Sequence, residues 1–237
     1  MDAATYQQTF DTLVTDGFRL TSVCGYSEGT GSRFNAVWVR SDGPVFQARH
    51  GLSAADYQAT FDSLVAQGFR LTSISGYAET GQARYAAIWE QRPGPDWQAR
   101  HGLSRQQYQQ AFDEMAAQGY VLAQVSGYRV GVDVQFAARW EKLQEVPFAG
   151  RHGLTSSQHQ SAFDELVGVG FNLKSVCGYS DTGIARYASV WHKDSSGPWQ
   201  ARHGLTSDAY QETFDDLASQ GFRPVQVSGY GDGFYPA

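Results

Sequence analysis

Cysteine, methionine and lysine are all scarce, with two Cys, two Met and three Lys in 237 residues. Two cysteines cannot supply a disulfide framework, so the fold has to come from a packed core. No apolar run approaches the roughly 18 residues of a membrane-spanning helix, so the chain is read as soluble with no membrane partner. The opening residues MDAATYQQTF lack the basic and apolar regions of a secretory signal peptide. The location expected is cytoplasmic, or secreted or cell-surface if a leader or flanking domain is missing. An excess of positive charge is also absent. A net charge of -6 and a pI near 5.4 argue against a nucleic-acid partner held through its phosphates. What is present is apolar: 41% hydrophobic and 14% aromatic residues against 18% charged, too rich a core composition for a disordered chain.

The dominant feature is internal repetition. Tyr6, Tyr57, Tyr108, His159 and Tyr210 are spaced by 51 residues, as are Phe10, Phe61, Phe112, Phe163 and Phe214. Gly25, Gly76, Gly127, Gly178 and Gly229 keep the same step, and so do Trp38, Trp89, Trp140 and Trp191. An unbroken period means stacked, equivalent units, each burying its apolar face on a neighbour.

Within one unit the pattern predicts a helix and three short strands. Ser53 is an N-cap, Tyr57, Phe61, Leu64 and Val65 share one helical stripe, and Gly68 supplies the C′ stop. Strand a follows from Phe69 to about Tyr77, strand b from Arg84 to Glu90 and strand c from Trp97 to His101, with Gly-rich or Pro-containing turns between them. The expected fold is an α+β tandem repeat, a single domain over 1–237, of five 51-residue units of one helix plus an antiparallel three-stranded meander. Units are placed at about 1–52, 53–103, 104–154, 155–205 and 206–237, the last incomplete. A curved open sheet, a half-barrel or solenoid with helices on one face, is expected, because propeller blades usually hold four strands and no helix. A closed ring or propeller-like toroid whose ends meet is the alternative.

The pattern W-Q-A-R-H-G-L-[ST]-x3-Y-Q-x2-F-D-x-L-x3-G-[FY]-x-L-x2-V-S-G-Y, followed by R-Y-A-A-I-W-E, resembles a bacterial tandem-repeat domain. Similar repeats form the N-terminal region of beta-lactamase-like serine hydrolases, including the fungal polyglycine hydrolases. The resemblance runs through Phe46–Glu90, Trp97–Glu141, Phe148–His192 and Trp199–Tyr230, plus the partial first unit. It implies the repeat fold. It does not bring the hydrolase with it, because that chemistry belongs to a separate domain with a Ser-x-x-Lys nucleophile. Here Lys142, Lys174 and Lys193 are preceded three residues earlier by Arg139, Phe171 and Val190.

Motifs with chemical potential are few. Gly25-Tyr26-Ser27-Glu28-Gly29 fits G-x-S-x-G but lies between two strands, whereas a nucleophile elbow needs a strand-to-helix turn. Arg49-His50, Arg100-His101, Arg151-His152 and Arg202-His203 recur once per unit. They suit either a repeated polar ligand site or a structural role, with His between units and Arg paired to the helix aspartate, Asp11, Asp62, Asp113, Asp164 or Asp215. On strand b, Tyr85, Ala87 and Trp89 face one way, as core or as a stacking platform. Cys24 and Cys177 hold the position of Ser75, Ser126 and Ser228, which suggests a small buried site. Tyr77, Arg84, Tyr179 and Arg186 could rim a groove at the hairpin end. No histidine pair has metal-ligand spacing within a unit, so neither a metal nor a cofactor is expected.

These readings combine into a non-catalytic, lectin-like module that binds an extended or multivalent ligand, such as a polysaccharide or repetitive peptide, with avidity from repetition. The expected ligand-binding residues are the four Arg-His pairs with Tyr77, Arg84, Tyr179 and Arg186. The alternatives are an accessory, spacer or assembly domain of a serine hydrolase, self-associating through incomplete terminal strands, and a hydrolase with a single site near the irregular third unit, at 130–135 and 143–146.

Overall fold

The computed structural model describes residues 1–29 and 31–231; the last six residues of the fifth unit lie outside the described residues. Five 13-residue helices recur at the period of the sequence: α1 (Ala3–Thr15), α2 (Ala54–Ala66), α3 (Arg105–Ala117), α4 (Ser156–Gly168) and α5 (Ser207–Ser219). Each begins at its expected cap. The side chains of Asp2, Ser53, Ser104, Thr155 and Thr206 accept the N–H of the residue three further on, satisfying one of the otherwise orphaned donors. Each ends ahead of a glycine with φ between 79° and 88°, a left-handed conformation that Gly17, Gly68, Gly119, Gly170 and Gly221 adopt without a Cβ penalty.

The strands are β1 (Phe18–Glu28), β2 (Gly31–Arg40), β3 (Phe46–Leu52), β4 (Arg70–Glu79), β5 (Gln82–Glu90), β6 (Trp97–Ser104), β7 (Val121–Val130), β8 (Asp133–Glu141), β9 (Phe148–Leu154), β10 (Asn172–Asp181) and β11 (Ile184–His192). Among the described residues they form one two-stranded sheet, β1-β2, and three three-stranded sheets, β3-β5-β4, β6-β8-β7 and β9-β11-β10, all antiparallel. The chain is therefore an α+β tandem repeat of one helix and short antiparallel strands per unit.

Strand order departs from a simple meander. Strand c does not return to its own hairpin: β3 pairs with β5 of the next unit, with Phe46 opposite Glu90 and Arg49 opposite Ala87. The hydrogen-bonded unit is strand–helix–strand–strand, from Phe46 to Glu90, one strand out of step with the helix-first division at 53–103. The reason lies in how β3 divides its two kinds of contact. Its backbone bonds into the following sheet, while Phe46, Ala48 and His50 pack on the preceding unit around Tyr6, Phe10 and Phe34. Each strand c thus staples two units together.

Neither face of a sheet is free. Tyr85, Ala87 and Trp89 lie beneath α2 with Tyr57, Leu64 and Leu71, whereas Ala86 and Ile88 on the opposite face join the core of the first unit. The platform reading of strand b is corrected accordingly: the side chains of Trp89, Trp140 and Trp191 are core, with 0% exposure. The second apolar face exists because the neighbouring unit covers it.

The sheets do not merge into one open curved sheet, and no strand ladder joins one sheet to another among the described residues. They close instead by the alternative arrangement, a ring. A Cβ added to Gly25, Gly76, Gly127 or Gly178 would penetrate the ring of Tyr77, Tyr128, Tyr179 or Tyr230 of the next unit. The fifth step returns to the start: a Cβ on Gly229 would lie 2.6 Å from Cε1 of Tyr26. Only glycine allows the strand this close to an aromatic face.

Candidate functional site

Two kinds of concavity follow from this architecture, a central channel and a set of outer grooves. The channel holds about 440 Å³ and is lined by the Gly-Tyr ends of β1, β4, β7 and β10 and by Gly229 and Tyr230, together with Cys24, Ser75, Ser126 and Cys177. Its wall is knitted by side chain to backbone. The hydroxyls of Ser75, Ser126 and Ser228 accept the N–H groups of Gly25, Gly76 and Gly178 at 3.0–3.1 Å. The Cys177 thiol donates to the Gly127 carbonyl, and Gly229 N–H donates to the Cys24 sulfur across the closing seam at 3.5 Å. Burial pushes both thiols up, Cys177 to about 12, so they are protonated and unreactive at neutral pH. The Ser/Cys position is the small buried site expected of it.

Tyr77 and Tyr179, expected on a hairpin-end groove, lie in the seams between units, each 2% exposed. Their hydroxyls accept the N–H of Gly51 and Gly153 at 3.0 Å, and Tyr128 does the same for Gly102 at 3.2 Å. Arg84 and Arg186 are at the hairpin ends beside their own strand-a carboxylates, Glu79 at 3.7 Å and Asp181 at 3.8 Å. Arg105 reaches the same Asp181 at 2.7 Å. Ser27 lies within β1 and donates to the Ala78 carbonyl at 2.7 Å, a strand position rather than a strand-to-helix elbow.

The four Arg-His pairs come to equivalent places on the outside. Each lines a groove between a helix and the strand c that follows it in space: Tyr6, Gln7, Phe10, Arg49 and His50 around 220 Å³, then Tyr57, Gln58, Phe61, Arg100 and His101 around 540 Å³. Tyr108, Gln109, Phe112, Arg151 and His152 surround 610 Å³, and His159, Gln160, Phe163, Arg202 and His203 surround 640 Å³. Each imidazole is half-buried against two rings. His50 meets Tyr6 and Phe34 at 4.9 and 5.3 Å, and His101 meets Tyr57 and Tyr85 at 4.7 and 5.1 Å. Burial holds the pKa of His50, His101 and His152 below the ordinary imidazole value, so at neutral pH these rings are uncharged. In the fourth groove His159 replaces the helix tyrosine. It stacks on Tyr187 with an interplanar angle of 15°, and burial followed by the nearby His203 lowers its pKa to about 4.

The guanidinium groups do not make the ion pairs expected of them. Arg49, Arg100, Arg151 and Arg202 donate to the carbonyl of the residue just before them, at 2.7–3.0 Å. The helix aspartates Asp11, Asp62, Asp113, Asp164 and Asp215 instead accept from a glutamine one turn earlier, at 2.8–2.9 Å. A partner at i−4 on the same helix is already in place and needs no long side chain ordered across a groove. Besides Arg105 with Asp181, two ion pairs that join units were not foreseen: Arg19 with Glu90 at 3.0 Å and Arg70 with Glu141 at 3.6 Å. The available signal was that Arg at the start of strand a in one unit accompanies Glu at the end of strand b in the next. At the third junction that glutamate is replaced by His192, whose Nε2 bonds the Leu122 carbonyl at 2.7 Å. Among the described residues no three His, Cys, Asp or Glu side chains are grouped to hold a metal ion.

Comparison with protein families matches this geometry. A model described as "polyglycine hydrolase-like, structural repeat" matches five times in succession, at residues 1–41, 43–92, 94–143, 145–194 and 196–235. The second, third and fourth matched segments begin three residues before β3, β6 and β9, where the hydrogen-bonded unit begins. Five consecutive matches spanning nearly the whole sequence identify the chain as a member of the polyglycine hydrolase-like structural repeat family.

Proposed function

We propose that the chain is a non-catalytic repeat module whose outer grooves take successive stretches of one extended, repetitive polymer. The observation that carries this reading is the recurrence, four times at one pitch, of a groove with the same chemistry: an aromatic floor, an imidazole, a glutamine and a guanidinium that donates to the carbonyl just before it. Arg and Gln amides donate to carbonyl or hydroxyl oxygens, and aromatic rings cover flat apolar surface. Individually weak sites spaced along one ring reinforce each other through effective concentration when the ligand repeats. The family's description mentions polyglycine, a repetitive peptide whose only polar groups are backbone amides, which supports trying a glycine-rich peptide first, ahead of a polysaccharide.

Calorimetric titration of the intact chain with an oligoglycine-rich peptide and with a polysaccharide panel tests the reading. The expected result is binding of one polymer class. Affinity falls stepwise as Arg49, Arg100, Arg151 and Arg202 are replaced one by one by Ala, with the fold unchanged. A second reading, a spacer or assembly domain standing beside a separate hydrolase domain, is favoured by the family description as a structural repeat and by the packing of each imidazole between two rings. Absence of binding to both polymer classes, with the arginine variants unaltered in stability and association, selects that reading.

A further inference from the structure

The central channel is separate from the outer grooves, and one position of its wall breaks the repeat. Toward the hairpin end of strand a the equivalent residues are Ser27, Ala78, Arg129, Ser180 and Gly231, and all five line the channel. Arg129 is the only charged residue among those that line it. The next position along carries a carboxylate in three units, each paired to an arginine of its own strand b: Glu28 with Arg33, Glu79 with Arg84 and Asp181 with Arg186. In the third unit both members of that pair are replaced, by Val130 and Gln135. A cation stands there one residue earlier instead, at Arg129. Among the described residues Arg129 makes no ion pair or hydrogen bond, and its Nε is buried without a partner. At the same level of the neighbouring strand β10, the Ser180 hydroxyl is likewise buried and unpartnered, whereas its counterpart on Ser27 donates to the Ala78 carbonyl.

Withdrawing a donor from water without a partner costs stability, and a guanidinium costs more than a neutral group. Two such donors line one cavity of about 440 Å³, a size within the range of about 300–1,000 Å³ typical of small-molecule pockets. The planar fork of a guanidinium matches a carboxylate. Arg33, Arg84 and Arg186 are already committed to their own carboxylates, so a second negative charge on the ligand would enter without a counter-ion. The remaining wall is glycine backbone, tyrosine ring and the uncharged Ser/Cys position, which suits a narrow, uncharged remainder. We propose that the central channel binds a single carboxylate carried on a slim uncharged tail. Arg129 holds the carboxylate, the Ser180 hydroxyl donates to it, and the tail runs toward Cys24, Ser75, Ser126 and Cys177.

Calorimetric titration of the intact chain with hexanoate and with N-acetyl-triglycine, each against its neutral amide, tests this. The expected result is one carboxylate bound per chain with a Kd of about 1 mM or lower. The unfolding midpoint rises by about 3 °C or more at ten times that concentration. Whichever acid binds more tightly tells a free acid from a peptide end as the source of the carboxylate. Arg129→Ser installs the residue of the first and fourth units, so it keeps the unfolding transition and weakens binding about tenfold or more. The amide comparison makes the same test on the unaltered chain. Arg100→Ala leaves this binding unchanged, so the channel and the outer grooves stand or fall separately. The proposal is overturned if neither acid binds at about 10 mM, if the amides bind as well as the acids, or if Arg129→Ser makes no difference. Several acids bound per chain, or inorganic phosphate bound more tightly than either acid, also overturn it.

Discussion

The inner wall and the outer grooves are built from the same repeated residue types and differ in how much freedom each position has. At the centre, glycine, tyrosine and Ser/Cys of successive units interlock through ring-to-glycine contacts and side-chain-to-backbone hydrogen bonds. At the periphery, Tyr, His, Gln and Arg of each groove face water on one side, and among the described residues the guanidinium groups bond only to their own chain neighbours. The inner residues hold five units in a circle, and the outer ones are left available. The contrast teaches that recurrence alone does not mark a binding residue. Tyr77 and Arg100 recur equally well, yet Tyr77 is sealed in a seam and Arg100 is exposed.

The largest expected effect comes from breaking the inner wall. Gly76→Ala drives a methyl group into the Tyr128 ring and is expected to destabilise by about 2–4 kcal/mol, measured as a loss of thermal or denaturant stability. Ser126→Ala leaves the buried Gly76 N–H without its acceptor at 3.0 Å and should cost about 1–3 kcal/mol by the same measurement. Cys177→Ser, which installs the residue three other units already carry, should stay within about 1 kcal/mol of the parent. In the parent, both thiols should resist a thiol-labelling reagent until the chain is unfolded.

A pH series sharpens the comparison. His159 has a folded pKa of about 4, below its ordinary value, so protonation favours the unfolded chain. Its contribution to stability is therefore whole above about pH 6.5 and is lost as pH falls from there toward about 4, and His50, His101 and His152 act in the same direction. The unfolding midpoint should drop by about 3–6 °C over that interval, and His159→Tyr, the residue of the other units, should flatten the profile. The smallest effect belongs to the groove arginines. Arg100→Ala should change stability by no more than about 0.5 kcal/mol, while lowering polymer affinity in calorimetry.

Much of the fold was legible because it is written locally. Ser53, Gly68 and the stripe Tyr57-Phe61-Leu64 place a helix whatever surrounds it, and the alternation of Tyr85, Ala87 and Trp89 places a strand. The partner of strand c was not legible, since Phe46–Leu52 pairs as readily with the hairpin before it as with the one after it, and periodicity is the same either way. The groove residues were found by recurrence, but their partners were not. Arg49 and Asp11 have opposite charges and a fixed offset, yet Gln7 satisfies the aspartate first from the preceding helical turn.

The sequence by itself determined the number of units, the order of helix and strands within each, and the caps and stops, because all of these follow from spacing and backbone preference over a few residues. The tertiary structure alone decided that each strand c joins the next sheet and that the chain closes on itself at Gly229 and Tyr26. It also decided which recurrent side chains are sealed in seams and which line open grooves. Those outcomes depend on the small rotation from each unit to the next. That rotation accumulates around the ring and is set by the packing of whole faces, such as a tyrosine ring against a glycine, rather than by any local stretch of sequence.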